Sequence, residues 1–242
     1  MQPSADRVFL LGSFRLSWER RNVALPVGSQ RVVAYLALAE DLVPRRSVIA
    51  ALWPDLAADR AAATLRTSLW RIGRIVPSLV RRDSQWLWLD PAVSVDAREL
   101  EVAVRSALHE PASTGPAELS TLTHADDLLA DWDAEWVVAQ RERLRQLRLE
   151  ALERLAEDLT DRGLVGQAVE AGLAAVADDP YRESAHRVLI EAYLRNGNVA
   201  AAVDQLRRLR QTLRSELGVV PSDELIARVG RPGTRRLRRR GK

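Results

Sequence analysis

The strongest restriction on the fold comes from an internal repeat in the second half of the chain. Residues 149–182 align with residues 183–216, which is a period of 34 residues. The matched pairs are Leu155 with Leu189, Leu159 with Tyr193, Gly163 with Gly197, Ala168 with Ala202 and Val169 with Val203. A glycine between two helices and a small residue early in the second helix are typical of the tetratricopeptide repeat. We therefore predict a small helical solenoid, a kind of fold that binds proteins or packs on its own chain.

The region before the repeat is also predicted to be mostly helical. Helices are expected over 100–108 and over 136–152, where the chain leads into the first repeat. The segment 109–127 is rich in proline, serine, threonine and glycine, and we predict that it is a loop.

The first 95 residues carry a different pattern, in which short strands surround three helices. The predicted elements are strands over 8–11, 14–18 and 22–25, helices over about 29–39, 46–52 and 59–76, and a hairpin of strands over 80–82 and 85–89. Asp59 is predicted to be the N-cap of the third helix. The fold class that follows is mainly α with a small β component.

The third predicted helix has one apolar face and one basic face. The apolar positions recur at spacings of three and four residues: Ala61, Leu65, Leu69, Ile72 and Val76. The opposite side carries only arginine and threonine, and no acidic residue occurs between Arg60 and Arg82. Alternating Glu–Arg pairs are the usual pattern of a helix that merely faces solvent.

Arginine and threonine on one helical face are suited to binding DNA. A guanidinium group forms two hydrogen bonds with guanine or with phosphate, and threonine contacts phosphate or a thymine methyl group. The predicted DNA-binding residues are Arg60, Thr64, Arg66, Thr67, Arg71 and Arg74 on the helix and Arg81 and Arg82 on the hairpin. The alternative is an exposed helix in a protein whose coding bias favours arginine, since 35 of the 36 basic residues are arginine.

Charge is distributed unevenly along the chain. Residues 1–95 hold 13 arginines and 8 acidic residues, residues 96–230 hold 16 arginines and 25 acidic residues, and residues 231–242 hold 7 basic residues and no acidic one. The net charges are therefore +5, −9 and +7, which indicates separate partners for separate parts. Proline, glycine and repulsion between like charges predict that the tail 231–242 is disordered.

Composition excludes several kinds of chemistry. The chain has no cysteine, its only lysine is Lys242, and His109, His124 and His186 are too far apart for a clustered metal site. No trio of nucleophile, base and orienting residue is evident, so we predict neither an enzyme nor a bound cofactor or metal. The longest apolar run, 32–39, is too short to span a membrane, and we expect a cytoplasmic protein.

The tryptophans are predicted to fill the two cores. The head, residues 1–95, is assigned Trp18, Trp53, Trp86 and Trp88. The helical body, residues 96–230, is assigned Trp132 and Trp136. Trp70 lies beside the basic face, where packing on the hairpin is an alternative to burial.

The order of strands, three helices and hairpin resembles the winged helix-turn-helix of the OmpR type. The segments Val48–Pro54 and Thr64–Arg71 are similar to the second and third helices of the Streptomyces antibiotic regulatory proteins, the SARP family. Further segments resemble landmarks of that family's bacterial transcriptional activator domain: Val95–Leu100, Asp131–Trp136 and Arg141–Leu144. The resemblance covers residues 8–228. It departs from the family at Gly73 and at the hairpin turn Asp83–Ser84, which lacks the usual glycine.

The resemblance implies three parts: a winged helix over 1–95, a tetratricopeptide-like activator domain over 96–230, and the tail 231–242. It also implies an activator that binds direct repeats in promoters as a head-to-tail homodimer and recruits RNA polymerase through contacts that include the sigma factor. Repression would use the same DNA contacts and is not distinguished by the sequence. The alternative is a tetratricopeptide-type adaptor for proteins, whose winged-helix head binds double-stranded DNA weakly or not at all.

Overall fold

The computed structural model describes residues 6–39 and 41–230, which fall into two compact units. Unit 1 comprises the described residues up to Val102 together with 125–145, and unit 2 comprises 103–124 and the described residues from Gln146 onward. The units therefore do not divide at residue 95, because 125–145 return to unit 1. The predicted tail 231–242 lies outside the described residues, and its role stays a prediction.

Unit 1 contains seven short strands and three complete helices. In chain order these are β1 (Arg7–Phe9), β2 (Arg15–Trp18), β3 (Arg21–Asn22), α1 (Val27–Leu38), β4 (Val43–Pro44), α2 (Arg45–Leu52), α3 (Ala58–Ile75), β5 (Val80–Arg82), β6 (Trp86–Leu89) and β7 (Ser94–Val95). The third strand is shorter than predicted, because its pairing with β2 is limited to Arg21 and Asn22 and is followed by one further bond, from the Val23 amide to the Leu16 carbonyl at 2.8 Å. Ala57, not Asp59, is the N-cap of α3, and Asp59 lies in the first turn.

The strands form two small sheets. The first has the order β3-β2-β1-β7, in which β1 and β2 are antiparallel and β1 and β7 are parallel. The second has the order β4-β6-β5 and contains the predicted hairpin, with Val80 opposite Leu89 and Arg82 opposite Leu87. Helix α1 packs on α3, and α2 packs on both. This is the arrangement expected of a winged helix-turn-helix.

The core of unit 1 is aliphatic, which corrects the prediction for the tryptophans. The buried side chains include Val32 and Leu36 of α1, Val48 of α2, and Leu65 and Leu69 of α3. The sheet tryptophans Trp18, Trp86 and Trp88 are half-buried or exposed, as is Trp53 after α2, because leucine and valine already fill the space between the helices.

The other two predicted core tryptophans belong to unit 1 rather than to the helical body. Trp132 stacks on Phe14 with a centroid distance of 6.2 Å, and Trp136 meets Tyr35 edge-on at 5.3 Å. The segment that carries them, 125–145, thus packs on residues from the N-terminal sequence.

All secondary-structure elements of unit 2 in the described residues are helices. Helix α4 (Asp96–His109) runs into it from unit 1, followed by α5 (Pro116–Thr123), α6 (Glu135–Asp161), which begins in unit 1, α7 (Val165–Asp178), α8 (Glu183–Arg195), α9 (Val199–Thr212) and α10 (Asp223–Gly230). The prediction of a loop over 109–127 is wrong in part, because α5 lies inside it. Pro116 occupies the first turn of α5, where its missing N–H is not needed, and the Glu118 carboxylate accepts the Gly115 amide at 3.1 Å.

The predicted repeat is confirmed. Helices α6 and α7 form the first pair and α8 and α9 the second, with α7 packed on α8 and α8 on α9. Gly163 and Gly197 occupy the matching turns with φ of +76° and +73°, a conformation that side chains other than glycine rarely adopt. Of the helices in the described part of the chain, none is both long and apolar enough to cross a membrane.

Candidate nucleic-acid interface

Helix α3 presents its predicted basic face to solvent. Its inner face is buried, with Ala61, Leu65 and Ile72 each 1% exposed. On its outer side Arg60, Arg66, Thr67, Arg71 and Arg74 are exposed, and Thr64 is half-exposed. Because the buried residues recur every three or four positions along 18 residues, the helix is anchored along its whole length and its outer face has a fixed orientation within unit 1.

None of the four arginines of α3 forms an ion pair with a carboxylate among the residues that the structure describes. By contrast many arginines of unit 2 are paired, for example Arg182 with Glu153 at 2.7 Å and Arg187 with Glu157 at 2.8 Å. Among the described residues, many arginines of unit 2 are thus paired with carboxylates, whereas none of the four on this face is.

The two threonines of the face use their hydroxyl protons within the helix. Thr64 Oγ1 donates to the Arg60 carbonyl at 2.9 Å, and Thr67 Oγ1 donates to the Ala63 carbonyl at 3.0 Å. A hydroxyl bonded to the preceding turn has no proton left for a phosphate oxygen. Of the two predicted roles for threonine, the structure therefore favours apolar contact through the methyl group.

Trp70 occupies the centre of the exposed face and was not among the predicted site residues. Its side chain is 61% exposed, and the Arg74 guanidinium carbon lies 5.5 Å from the centroid of its ring. Ala63, Thr67, Trp70 and Arg74 recur at spacings of four, three and four residues, so they lie along one line of the helix. The same spacing rule that identified the arginine stripe would have found Trp70.

The two hairpin arginines of β5 differ from one another. Arg81 Nε donates to Asp90 Oδ2 at 2.7 Å, and its Nη2 lies at the same distance from that oxygen. The Ala92 amide and the Arg81 guanidinium hold the pKa of Asp90 below its usual range. Arg82 is exposed and has no carboxylate partner among the described residues. Arg81 is thus engaged within the hairpin, and the prediction that both arginines bind DNA stays a prediction.

The hairpin turn is closed by a carboxylate in place of the usual glycine. Asp83 Oδ1 accepts the amides of Gln85 and Trp86, each at 2.7 Å, and these bonds lower the pKa of Asp83. Arg45, at the start of α2, lowers it further by its charge. Sequence reasoning passed over Arg45, because only the fold brings the start of α2 beside the hairpin.

No alternative chemistry is evident in the described residues. They contain no group of three or more His, Asp or Glu side chains able to hold a metal ion. The histidine that is buried, His186, bonds to Pro180 and Gln205 in the repeat and lies far along the chain from α3.

Comparison with known families identifies the part of the chain that follows the hairpin. The bacterial transcriptional activator domain matches residues 95–230, which is more than half of the chain. The chain belongs to this family. It is a regulator of the SARP type, as the sequence resemblance implied, and the family consists of transcriptional regulators rather than enzymes.

Curated relatives of this SARP-type chain are much longer proteins. The regulatory protein AfsR of Streptomyces coelicolor is 30% identical over 256 aligned residues, which cover 99% of this chain and 24% of AfsR. AfsR of Streptomyces griseus is 29% identical over 192 aligned residues, covering 74% of this chain and 19% of that protein. The chain therefore spans about a quarter or less of the length of these relatives.

A solved structure supports the fold. EmbR of Mycobacterium tuberculosis, determined in complex with a low-affinity phosphopeptide, superposes with a TM-score of 0.69 at 21% identity. The match covers 94% of this chain and 65% of that one. At this level of identity the likeness concerns the fold alone, namely a winged helix followed by a helical domain.

Proposed function

We propose that this transcriptional regulator binds double-stranded DNA sequence-specifically through α3 and the β5–β6 hairpin. The observation that carries the proposal is the exposed face of α3, whose arginines have no carboxylate partners among the described residues. At 1.5 Å per residue, 18 residues make a helix about 27 Å long, which is enough to lie in a major groove. Arg60, Thr64, Arg66, Thr67, Arg71 and Arg74 face the groove in this arrangement.

The hairpin is assigned to the sugar-phosphate backbone beside that groove. Arg82 contacts a phosphate directly, and Arg81 contributes less because Asp90 holds it. Neutralisation of phosphates supplies most of the affinity, while contacts with base edges supply the sequence preference.

The helical part is assigned to protein contacts. Residues 96–230 carry a net charge of −9, which opposes binding to DNA. Tetratricopeptide-like helices present surfaces for other proteins. We propose that this part recruits RNA polymerase, with contacts to the sigma factor, while two copies of the chain bind head to tail on direct repeats in a promoter. Such a role belongs in the cytoplasm.

The decisive experiment isolates genomic fragments bound by the full chain and measures their affinity for variants. Arg66→Ala and Arg71→Ala should each weaken binding by about 1–3 kcal/mol and relax preference at one base pair. Arg208→Ala is the matched control, since it removes one exposed arginine of unit 2 that has no carboxylate partner among the described residues. Binding of both α3 variants at full strength would contradict the assignment.

A second measurement separates the proposed regulator from an adaptor. In transcription with purified RNA polymerase, the full chain should raise the yield from a promoter that carries its binding site, and Arg66→Ala should reduce that effect. A chain that retained no fragment and changed no transcript would instead fit the protein-binding adaptor. A lowered yield would indicate repression.

A further inference from the structure

The outermost line of α3 is apolar from Ala63 to Trp70 and ends in one arginine. The residues farthest from the buried side of the helix are Ala63, Thr67, Trp70 and Arg74, while Arg60 and Arg71 lie to one side and Arg66 to the other. The Thr67 hydroxyl is turned back to the Ala63 carbonyl, so this line offers methyl groups and an indole ring. Guanidinium groups flank that apolar strip on both sides.

Nothing in the packing of unit 1 accounts for Trp70. The ring is 61% exposed, and the contact that the structure gives it is the Arg74 guanidinium at 5.5 Å. An arginine over an indole face is a weakly stabilising interaction at an exposed site, and it limits the orientations available to the ring. The indole is therefore held outward, at the part of α3 that reaches deepest into a groove.

The surroundings of Trp70 identify its occupant as DNA. An exposed aromatic ring with arginines beside it also occurs at protein interfaces, so the ring alone does not select the partner, and the charge of its surroundings does. Residues 60–82 include six arginines and no acidic residue, which complements a polyanion. In the major groove, the methyl group of thymine is the feature that an apolar side chain recognises.

We propose that Trp70, supported by the methyl group of Thr67, recognises the 5-methyl group of a thymine in the major groove. The inference rests on the proposed DNA binding and names Trp70 as a determinant of sequence specificity at that site. The flanking arginines recognise guanine or phosphate, and the apolar strip between them recognises thymine. The preferred site thus contains a thymine facing the middle of α3, next to the positions recognised by Arg66 and Arg71.

The test removes the thymine methyl group alone. The probe is a duplex selected by the full chain from a random library, in which each thymine is replaced in turn by deoxyuridine. Loss of one contacted methyl group should weaken binding by the wild-type chain about fourfold at one or two positions. With Trp70→Ala the same replacements should have almost no effect, which is the signature of a direct pair in a double-mutant cycle.

Controls distinguish this result from a loss of structure or of all binding. Tyr181→Ala removes an exposed aromatic side chain of unit 2, outside α3 and the β5–β6 hairpin, and should keep the full methyl dependence. Trp70→Phe should retain part of the dependence on the thymine methyl group. If Trp70→Ala binds too weakly to measure, the ratio of thymine to deoxyuridine affinity is taken from Trp70→Phe. Thermal unfolding should be unchanged in all three variants within a few degrees.

The outcomes are separable from the proposed function. If Trp70→Ala keeps the wild-type ratio of thymine to deoxyuridine affinity, the inference is overturned while DNA binding stands. A wild-type chain that shows no loss at any thymine overturns it as well. If the wild-type chain selects no duplex, the proposed function itself fails.

Discussion

At the scale of single residues, charged side chains hold the irregular backbone of unit 1. The buried carboxylate of Asp96 accepts the amides of Leu10 and Leu11 at 2.7 and 3.1 Å, and burial raises its pKa. Arg98 donates to the carbonyls at the end of α1, including that of Ala39 at 2.6 Å. Those carbonyls have no partner inside the helix, so the guanidinium group satisfies them.

The two hairpin arginines give the first prediction at this scale. Arg82→Ala should weaken binding to all DNA sequences alike and lower the slope of log affinity against log salt by about 1, because it removes one phosphate contact. Arg81→Ala should change the slope less, since Asp90 already neutralises that guanidinium group. Salt titrations with a duplex that the chain binds and with a duplex of scrambled sequence measure the slopes of both variants. Equal slopes for the two variants would show that the Arg81–Asp90 pair opens on DNA.

His186 gives a prediction for the dependence of stability on pH. Its Nε2 lies 3.1 Å from the Pro180 carbonyl and its Nδ1 lies 2.9 Å from the Gln205 amide nitrogen, an arrangement that suits a neutral ring. Burial lowers the pKa of His186 below its usual 6.5. The unfolded chain therefore binds a proton at His186 more readily than the folded chain does. The contribution of the neutral His186 ring to the stability of the fold is complete above about pH 6.5 and is lost as the pH falls.

Chemical unfolding between pH 7.5 and 5 measures this effect. The free energy of unfolding should fall towards pH 5 by at most about 1.4 kcal/mol per pH unit from His186, the limit for one proton. His186→Gln should flatten the dependence of the unfolding free energy on pH, because the variant lacks the buried ring that gains a proton on unfolding. A wild-type curve that coincides with that of His186→Gln would remove His186 as the cause.

At the scale of elements, small residues set how closely the helices of the repeat approach. Helix α7 buries Ala168, Ala171, Gly172 and Ala175, and its neighbour α8 packs against them. A Cβ atom at Gly172 would lie 3.0 Å from Leu189 Cβ and 3.2 Å from Leu189 Cα. The backbone of α8 cannot yield as a flexible side chain does, so the absence of a side chain at Gly172 determines the spacing of these helices.

Gly172→Ala should therefore destabilise the chain although alanine favours helices. In a helix, alanine is ordinarily better than glycine by about 0.5–1 kcal/mol. We expect the contact with Leu189 to outweigh this gain, by roughly 1 kcal/mol for moderate overpacking. Gly166→Ala in the same helix is the control, because nothing lies within 4 Å of its added Cβ, and it should be neutral or stabilising. If Gly172→Ala and Gly166→Ala shift the unfolding midpoint alike, α7 can move away from α8 with no loss of stability.

At the scale of the whole molecule, the segment 125–145 completes unit 1. Leu128 and Leu129 are buried, the Leu129 amide donates to the Leu10 carbonyl at 2.8 Å, and Arg141 donates to the carbonyls of Leu128, Leu129 and Trp132. The part that carries α3 therefore extends well beyond the predicted boundary at residue 95. Residues before 96 and residues after 124 are needed together to cover one core.

Fragments test this dependence. Burial of two leucines is worth about 3–6 kcal/mol, so a fragment over 1–124 should unfold at least about 10 °C below one over 1–145. A fragment over 1–95 also loses Asp96 and should be less stable still. Circular dichroism during heating gives all three midpoints. Equal midpoints for 1–124 and 1–145 would mean that 125–145 packs on unit 1 without stabilising it.

The sequence by itself determined the features that depend on residues close together in the chain. The spacing of apolar residues predicted α1, α2 and α3 to within a few residues, and glycines 34 residues apart predicted the turns of the repeat. Helices and tight turns are specified by neighbours, so their pattern is visible in one dimension. The exposed arginines of α3 followed from the same periodicity.

Only the tertiary structure decided the features that depend on distant residues. The return of 125–145 to unit 1, the contact of Arg98 with the end of α1 and the placement of Trp132 on Phe14 each join segments whose meeting no local pattern encodes. The incomplete burial of Trp18 and Trp88 belongs here too, because it depends on how aliphatic residues from three helices fill the core. Burial is a property of the packed chain, and a residue's own hydrophobicity does not determine which apolar side chains remain outside.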